Sequence, residues 1–473
     1  EGKEHGIEAK HVPEDVDLVI VPDAGSSDYE EHKILYNRGI NVIILDHHIT
    51  EKESKHAIVV NNQISPDYPN KNFSGAGIVL KFLETLVDLF QFNNKSKNFY
   101  DLTALGLVGD LMDIRELENR YYIVQGMSKL HNPFLKEIFK EQEYSTKGQR
   151  NPMSLGWYIS PLINATIRSG TIEEKEQMFE AFLDDGTTKV YNERKDEHES
   201  LLTNTVRMMK NIRVRQNKLR DEGVALIEER IQEKNLLDNK ILIVNVTDIL
   251  DKNLTGLVCN KLARDYKRPV MLLRYDKETN TLSGSARGYS KGAIKNFRQY
   301  LLDTEKLIYA NGHENAFGVS GLADKIVELN DYINKDLKDV EIGDSVYEVD
   351  FVIPAKQLRY SLIASIDNHK DLWGRGIEEP LLAIEQIKVE KRNIKLIGKN
   401  KNTVKFVYKD VEYIKFFTDK EEYEKLTNGD KTDIQVINIV GRASVNEWRG
   451  TRTGQILIED YEVVKTKKRE LAF

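Results

Sequence analysis

Asp46-His47-His48 places a carboxylate and two imidazoles directly after the apolar run Asn41-Val-Ile-Ile-Leu45. Such a run reads as a buried strand, so the polar groups stand at its carboxyl end, where open α/β sheets do their chemistry. The preceding segment repeats the layout. Asp17-Leu-Val-Ile-Val-Pro22 reads as a strand with Asp23 at its tip, and residues 29–38 read as the helix crossing to the next strand. Two parallel strands joined this way deliver Asp23 and His47 side by side. Carboxylate plus imidazole is a donor set for a borderline divalent ion such as Mn2+, more than for an all-oxygen Mg2+ cage. A capped strand end with satisfied histidines is the plainer alternative, and it would be preferred for one isolated histidine. For Asp-His-His on this topology the metal reading is preferred.

The elements that must position these groups belong to a chain of 473 residues, long enough for several domains. Its single cysteine, Cys259, lies in a helix-like stretch, which argues against a disulfide framework and for a reducing, cytoplasmic setting. No apolar run approaches membrane-spanning length, so no membrane partner is expected. The net charge of −7 excludes a surface uniformly coated in basic groups, but a nucleic-acid enzyme needs only a local basic path. Residues 1–160 alternate strand and helix patterns, as in part of a doubly wound sheet. The opening Glu1-Gly-Lys-Glu-His-Gly-Ile-Glu has no Met and no strand, so the first strands of that sheet are expected to be missing. Residues 161–235 are highly charged with spaced apolar positions and read as long connecting helices, broken at Asp184-Asp185-Gly186. A second α/β unit fills residues 236–340. Residues 344–473 carry short alternating segments such as Val404-Lys-Phe-Val-Tyr408, the pattern of a small barrel.

Read together, Asp23, Asp46-His47-His48 and Asp101-Leu-Thr-Ala-Leu-Gly-Leu-Val-Gly-Asp110 resemble the second, third and fourth motifs of the DHH phosphoesterase superfamily. That superfamily spans pyrophosphatases, oligoribonucleases, cyclic-dinucleotide phosphodiesterases and RecJ single-strand exonucleases. This much implies phosphoester chemistry without a substrate. Ser74-Gly-Ala-Gly77, Ile159-Ser-Pro-Leu-Ile-Asn-Ala-Thr-Ile-Arg168 and Leu254-Thr-Gly-Leu-Val-Cys259, followed by Arg268-Pro-Val270, are similar to RecJ signatures. Gly284-Ser-Ala-Arg287 and Asn311-Gly-His-Glu-Asn-Ala-Phe-Gly318 resemble the associated DHHA1 domain. Trp373-Gly-Arg-Gly-Ile-Glu-Glu-Pro380 and Asn446-Glu-Trp-Arg-Gly450 resemble the RecJ oligonucleotide-binding (OB) barrel. The implied fold is α/β: a parallel-sheet DHH domain joined by long helices to an α/β DHHA1 domain, then an OB-like barrel. Three departures stand out. The Asp-x-Asp first motif is absent; Asn311 opens the Gly-Gly-His motif, with Phe317 where a small residue is usual; and Ile167 stands where the pattern has Gly.

The resemblance implies a two-metal site, Mn2+ or Mg2+, with ions about 3.5–4 Å apart supplying hydroxide and charge neutralisation. Asp23 is the implied bridge, with His47 and Asp110 as further ligands of one ion. His48 is the implied contact to the scissile phosphate, and Asp46 supports a neighbour from behind. Asp113 competes with Asp110 but reads as a surface residue. In the DHHA1-like segment Gly284, Ser285 and Arg287 are read as following a strand, and Gly312 lets backbone approach a phosphate closely. Arg287 and His313 are the candidates for gripping the nucleic-acid backbone. Arg168 is a further one, set against an ordinary ion pair. In the barrel, Lys388, Lys391, Arg392, Lys395, Lys399 and Lys401 with Phe406, Tyr408 and Tyr413 suggest tracking of phosphates and stacking of bases, unless the aromatics are core.

The resulting expectation is a metal-dependent exonuclease acting on single-stranded DNA from the 5′ end, in repair and recombination. A helicase or single-strand binding protein remains an open partner. The alternatives are a DHH phosphodiesterase for short oligonucleotides or cyclic dinucleotides, and a DHH-fold single-strand-binding scaffold without metals. Without the first-motif acids, a polypeptide starting at Glu1 is expected to bind single strands but hydrolyse them negligibly.

Overall fold

The computed structural model describes residues 6–50, 52–193, 195–428 and 433–464. The opening residues 1–5 lie outside them. By internal contacts the chain divides into two units, each assembled from separate stretches. Glu1–Pro161, Phe179–Val206 and Val349–Phe473 form the first, and Leu162–Met178 and Arg207–Glu348 the second.

In the first unit β1 (Leu18–Pro22), β2 (Asn41–Asp46) and β3 (Ile58–Asn61) make a parallel sheet in that order, with α1 (Tyr29–Asn37) crossing from β1 to β2. Val42 and Ile44 of β2 pack with Leu35 of α1 and Ile40. Helix α2 (Gly75–Phe90) also lies against β2, which leaves Ile44, Leu45 and Asp46 all buried. Cover on both faces is why this strand is apolar throughout instead of alternating. β1 and β3 are the outer strands among the described residues, and Leu18 and Ile20 of β1 are exposed. The helices α3 (Tyr100–Gly109), α4 (Leu117–Ser128), α5 (Pro133–Glu141), α6 (Glu143–Thr146) and α7 (Pro152–Ser154) follow.

α8 (Ser160–Ser169) and α9 (Ile172–Leu183) precede a hairpin of β4 (Lys189–Asn192) and β5 (Glu197–Ser200), and then the long α10 (Leu201–Glu233). The expected break at Asp184-Asp185-Gly186 is present. The carboxylates of Asp184 and Asp185 accept from the backbone N–H groups of Gly186 (2.6 Å) and Thr187 (3.0 Å), which ends α9 locally.

The second unit holds β6 (Leu242–Asn245), α11 (Lys252–Asp265), β7 (Val270–Asp276), β8 (Thr281–Arg287), α12 (Phe297–Leu302), β9 (Tyr309–His313), β10 (Ala316–Leu322) and α13 (Ala323–Asp336). The sheet order is β6-β7-β8-β10-β9; β6 and β7 are parallel and the remaining neighbours antiparallel. α11 seals one face through Val258, Cys259 and Leu262, and Phe297, Leu329 and Ile333 line the core on the other.

The last stretch of the first unit is β11 (Phe351–Pro354), α14 (Tyr360–Asp367), β12 (Leu381–Glu390), β13 (Lys395–Ile397), β14 (Thr403–Tyr408), β15 (Val411–Phe416), α15 (Lys420–Thr427), β16 (Ile434–Trp448) and β17 (Thr451–Val463). Seven strands join in the order β11-β12-β16-β17-β15-β14-β13, and β12 also approaches β14, so the sheet curls toward a barrel. Among the described residues no helix is long and apolar enough to cross a membrane.

Candidate metal centre and anion site

Parallel pairing puts the ends of β1 and β2 beside each other, and three side chains converge there. His47 Nε2 stands 3.2 Å from Asp23 Oδ1 and 3.2 Å from Asp110 Oδ2. Donors held about 2.1 Å from one octahedral ion at right angles to each other are about 3 Å apart, so one N and two O atoms fit a divalent cation. Both carboxylates are open to solvent while His47 is nearly buried, which leaves access from one side. Asp46 is different: it is buried, and each of its oxygens is already bonded. Oδ1 accepts from His47 N (2.7 Å), His48 N (3.2 Å) and His48 Nδ1 (2.7 Å), and Oδ2 accepts from Ser26 N (3.1 Å). Burial alone would raise its pKa, but these bonds to His48, Ser26 and His47 outweigh it and hold the group ionised. In return the Asp46 hydrogen bond raises the pKa of half-exposed His48 and fixes its ring. Asp23, Asp46, His47 and His48 each bring one ligand-type atom within 4.8 Å of the others.

Local sequence explains the placement. Asp23 adopts positive φ (60°), and its carboxylate lies against the start of α2, where a Cβ on Gly75 would fall 2.1 Å from Asp23 Oδ1. Only glycine fits there, and the helix N-terminus favours the negative charge. Ser74 caps that helix by accepting from Gly77 N. Gly106 of α3 gives room to Ala76 of α2, where a Cβ would fall 2.5 Å from the Ala76 Cβ, and this brings Asp110, at the end of α3, to the site. Sequence reasoning missed two supports, Ser26 and Asn61. Asn61 ends β3 opposite Asp46, and its Nδ2 donates to His48 O (2.9 Å) and Ser26 Oγ (2.8 Å). The signal was its place at the next strand tip.

Asp113 is excluded as a ligand by its own contacts. Arg115 holds it through Nε (3.0 Å) and Nη2 (2.6 Å), and a Cβ on Gly376 would lie 2.1 Å from its Oδ1. Next to it, Ile114 N donates to Arg375 O at 2.9 Å, and Gly374 packs on the Ile114 side chain. The glycines of Trp373-Gly-Arg-Gly376 therefore let a loop of the last stretch lie flat against the chain just after Asp110.

In the second unit, Gly284, Ser285 and Arg287 lie inside β8 and not after it. Their turn-like residue types misled, because pairing with β7 and β10 on both sides makes them strand. Gly284 has a packing reason, since a Cβ there would meet Leu272 O at 2.0 Å. Arg287 and His313 both stand opposite Ala316, one on each side of β10, so they share a sheet face. His313 is exposed and Gly312 adopts φ 135°. Arg287 donates to its neighbour's carbonyl, Ala286 O (2.8 Å), and among the described residues no carboxylate pairs with it. Burial, more than nearby Arg168, lowers its pKa. Ser285 Oγ lies 2.9 Å from Thr255 Oγ1 of α11, and a Cβ on Gly256 would come within 2.9 Å of Arg287 Nη2. Two guanidinium groups and two hydroxyls, with no carboxylate paired to Arg287 among the described residues, are the kind of donors an anion would need. Phe317 does not line it: the ring is buried against Phe297. Ile167 is exposed on α8.

In the curled sheet the base-stacking expectation fails for Phe406 and Tyr413, which are buried and stack on each other with ring centroids 5.0 Å apart. Alternation along β14 and β15 sends them into the core. Lys391 pairs with Asp433 and Arg392 with Glu390, while Lys388, Lys395, Lys399 and Lys401 are exposed.

Comparison with known proteins agrees with this geometry. The sequence model "DHH family, N-terminal domain" matches residues 3–107 and "RecJ OB domain" matches residues 349–460. The chain is 45% identical over 479 residues to YorK of the SPbeta prophage in Bacillus subtilis (strain 168), a protein provisionally named a single-strand DNA-specific exonuclease. That match covers 100% of this chain and 83% of YorK. The single-stranded-DNA-specific exonuclease RecJ of the same bacterium is 26% identical over 94% of this chain, which spans 54% of that protein. Thermus thermophilus RecJ, solved in complex with Mn2+, superposes with a TM-score of 0.69 over 95% of this chain and 62% of its own, at 17% identity, a likeness of fold. With 45% identity along its whole length and the DHH site assembled, the chain belongs to the RecJ-like DHH exonucleases.

Proposed function

We propose that the chain is a metal-dependent exonuclease that hydrolyses phosphodiester bonds of single-stranded DNA, from the 5′ end, in repair and recombination. The convergence of Asp23, His47 and Asp110 on one point carries this reading. A divalent metal, Mn2+ or Mg2+, when bound supplies the activated hydroxide and neutralises phosphoryl charge. The chain's own residues do the rest. Asp46 fixes the His48 ring, which is offered to the scissile phosphate; Arg287, Arg168, Ser285 and His313, with Gly312 giving close approach, hold the backbone. We assign the anion site to residues 236–340 together with Arg168, and strand binding to residues 344–473. The work is placed in the cytoplasm, with single-stranded DNA as the partner.

The test is His47→Ala and Asp110→Ala in the full-length protein, with oligonucleotide hydrolysis followed in Mn2+. Losing a ligand should exceed the 10–100-fold typical of outer-shell changes, so rates should fall more than about a hundredfold with folding intact. Near-unchanged turnover in either variant would remove the assignment.

A further inference from the structure

Between β3 and α2, residues 62–74 form neither helix nor strand, and side chains hold them in place. Asn62 Nδ2 donates to Asn70 O (2.9 Å) and Gln63 Nε2 to Lys71 O (2.7 Å), while Lys71 Nζ reaches back to Asn62 O (2.6 Å). An irregular stretch of this length is uncommon inside a compact unit unless it has a task. Its far end leads to the metal centre, because Asn72 stands three residues before Gly75, the glycine against which the Asp23 carboxylate lies. The opposite carboxylate, Asp110, is followed by a tight turn: Leu111 adopts φ 56°, and Met112 N donates to Leu107 O (2.9 Å). One side chain of α4 joins the two segments. Asn119 is fully buried; its Nδ2 donates to Asn72 O (2.7 Å) and to Asp113 O (2.8 Å), and its Oδ1 accepts from Asn70 Nδ2 (3.0 Å).

We infer that Asn119 is a positioning residue for the metal centre: by tying Asn72 to Asp113 it sets the separation of Asp23 and Asp110, the two carboxylates that His47 meets at 3.2 Å each. This rests on the metal-dependent reading above and names what fixes the spacing of its ligands. Two carbonyls held on the two hydrogens of one amide cannot separate without leaving a buried donor unpaired, which costs more than an ordinary hydrogen bond contributes. The amide itself cannot turn away, because Asn70 is anchored beside it. Asn70 Nδ2 also donates to Glu118 Oε2 (3.1 Å), and Glu118 is held in turn by Tyr68 OH (2.6 Å) and Lys81 Nζ (2.8 Å). A buried amide is a costly way to fill a helix core, since each polar atom must find a partner. At Asn119 those partners are the backbone on either side of the metal centre.

In the full-length protein, Asn119→Asp keeps the acceptor but turns a carboxylate oxygen toward two carbonyls. Mn2+ affinity, measured by calorimetry, should fall about tenfold or more, the range seen when groups behind metal ligands are lost. Hydrolysis should fall at limiting Mn2+ and recover in excess Mn2+, with KM for the oligonucleotide unchanged. Asn119→Ser, which still donates one bond, should show a smaller loss of affinity, and it decides the matter should Asn119→Asp fail to fold. The control is Ile123→Ala, which opens a cavity at a buried position of the same helix. It should lower the melting temperature while leaving Mn2+ affinity unaltered. Equal loss of affinity in Ile123→Ala, or an Asn119 variant that melts early yet binds Mn2+ normally, would reduce Asn119 to scaffolding. Normal Mn2+ binding by His47→Ala would instead remove the metal centre, and with it the reading on which the inference rests.

Discussion

Asp23 is an aspartate held at φ 60°, a backbone state costing on the order of 1 kcal/mol or more, and it is the residue whose carboxylate meets His47. Residue type made this site legible: acid and imidazole at strand tips have few other uses, and Asp23, His47 and Asp110 come together as expected. Supports such as Ser26, Asn61 and Gly256 were illegible because each matters only through a neighbour distant in sequence. Glu379 belongs with them. Burial pushes its carboxyl up to about 7, and Asp367 and Glu459 add to the effect while Arg442 and Lys370 oppose it. Its folded pKa is above the unfolded value, so the folded state holds an extra proton in the window from about 4.5 to 7. Stability is therefore lost as pH rises through that window, by about 3 kcal/mol. Glu379→Gln should flatten this slope and stabilise the protein at pH 8, as read by urea unfolding at both ends. An unchanged slope would place the titration elsewhere.

The element that matters most beyond the strands is the loop around Trp373 and Gly376, which sequence assigned to the barrel without a task. It lies against Asp113 and Ile114, just past Asp110, so it braces the turn that aims a metal ligand. Gly376→Ala would place a Cβ 2.1 Å from Asp113 Oδ1 at a φ of 89° that disfavours side chains, and Gly374→Ala would press more mildly on Ile114. Mn2+ affinity should fall about tenfold in Gly376→Ala, with oligonucleotide affinity retained. Calorimetry decides: a lowered melting temperature with unaltered Mn2+ affinity would reduce the loop to scaffolding. Elements with a local signature, such as β1, α1, β2 and the capped α2, were readable in advance. The β7–β8 hairpin was readable, but Gly284-Ser-Ala within it looks like a turn until the remote β10 pairs on its other side. The inward face of β14 was not readable, because period-2 alternation leaves it open until the opposing core is known.

At the scale of the whole molecule, Val349–Phe473 belongs to the same compact unit as the metal centre. Simple loss of strand binding is then too small an expectation for removing it. A protein ending before Val349 should also melt at lower temperature, bind Mn2+ more weakly and lose hydrolysis of very short oligonucleotides. Wild-type Mn2+ affinity in that truncation would show that the stretch is an independent module. The interleaving of stretches has a further consequence, for synthesis on the ribosome. The second unit is fully supplied once Glu348 has emerged, whereas the first waits for everything after it, on the order of ten seconds at ordinary elongation rates. During that interval Ile114 and the turn behind Asp110 lack their cover. A nascent chain stalled near Glu348 should therefore have one protease-resistant unit and one that is readily cut, and temperature or codon changes that slow the last stretch should lower the yield of metal-competent protein.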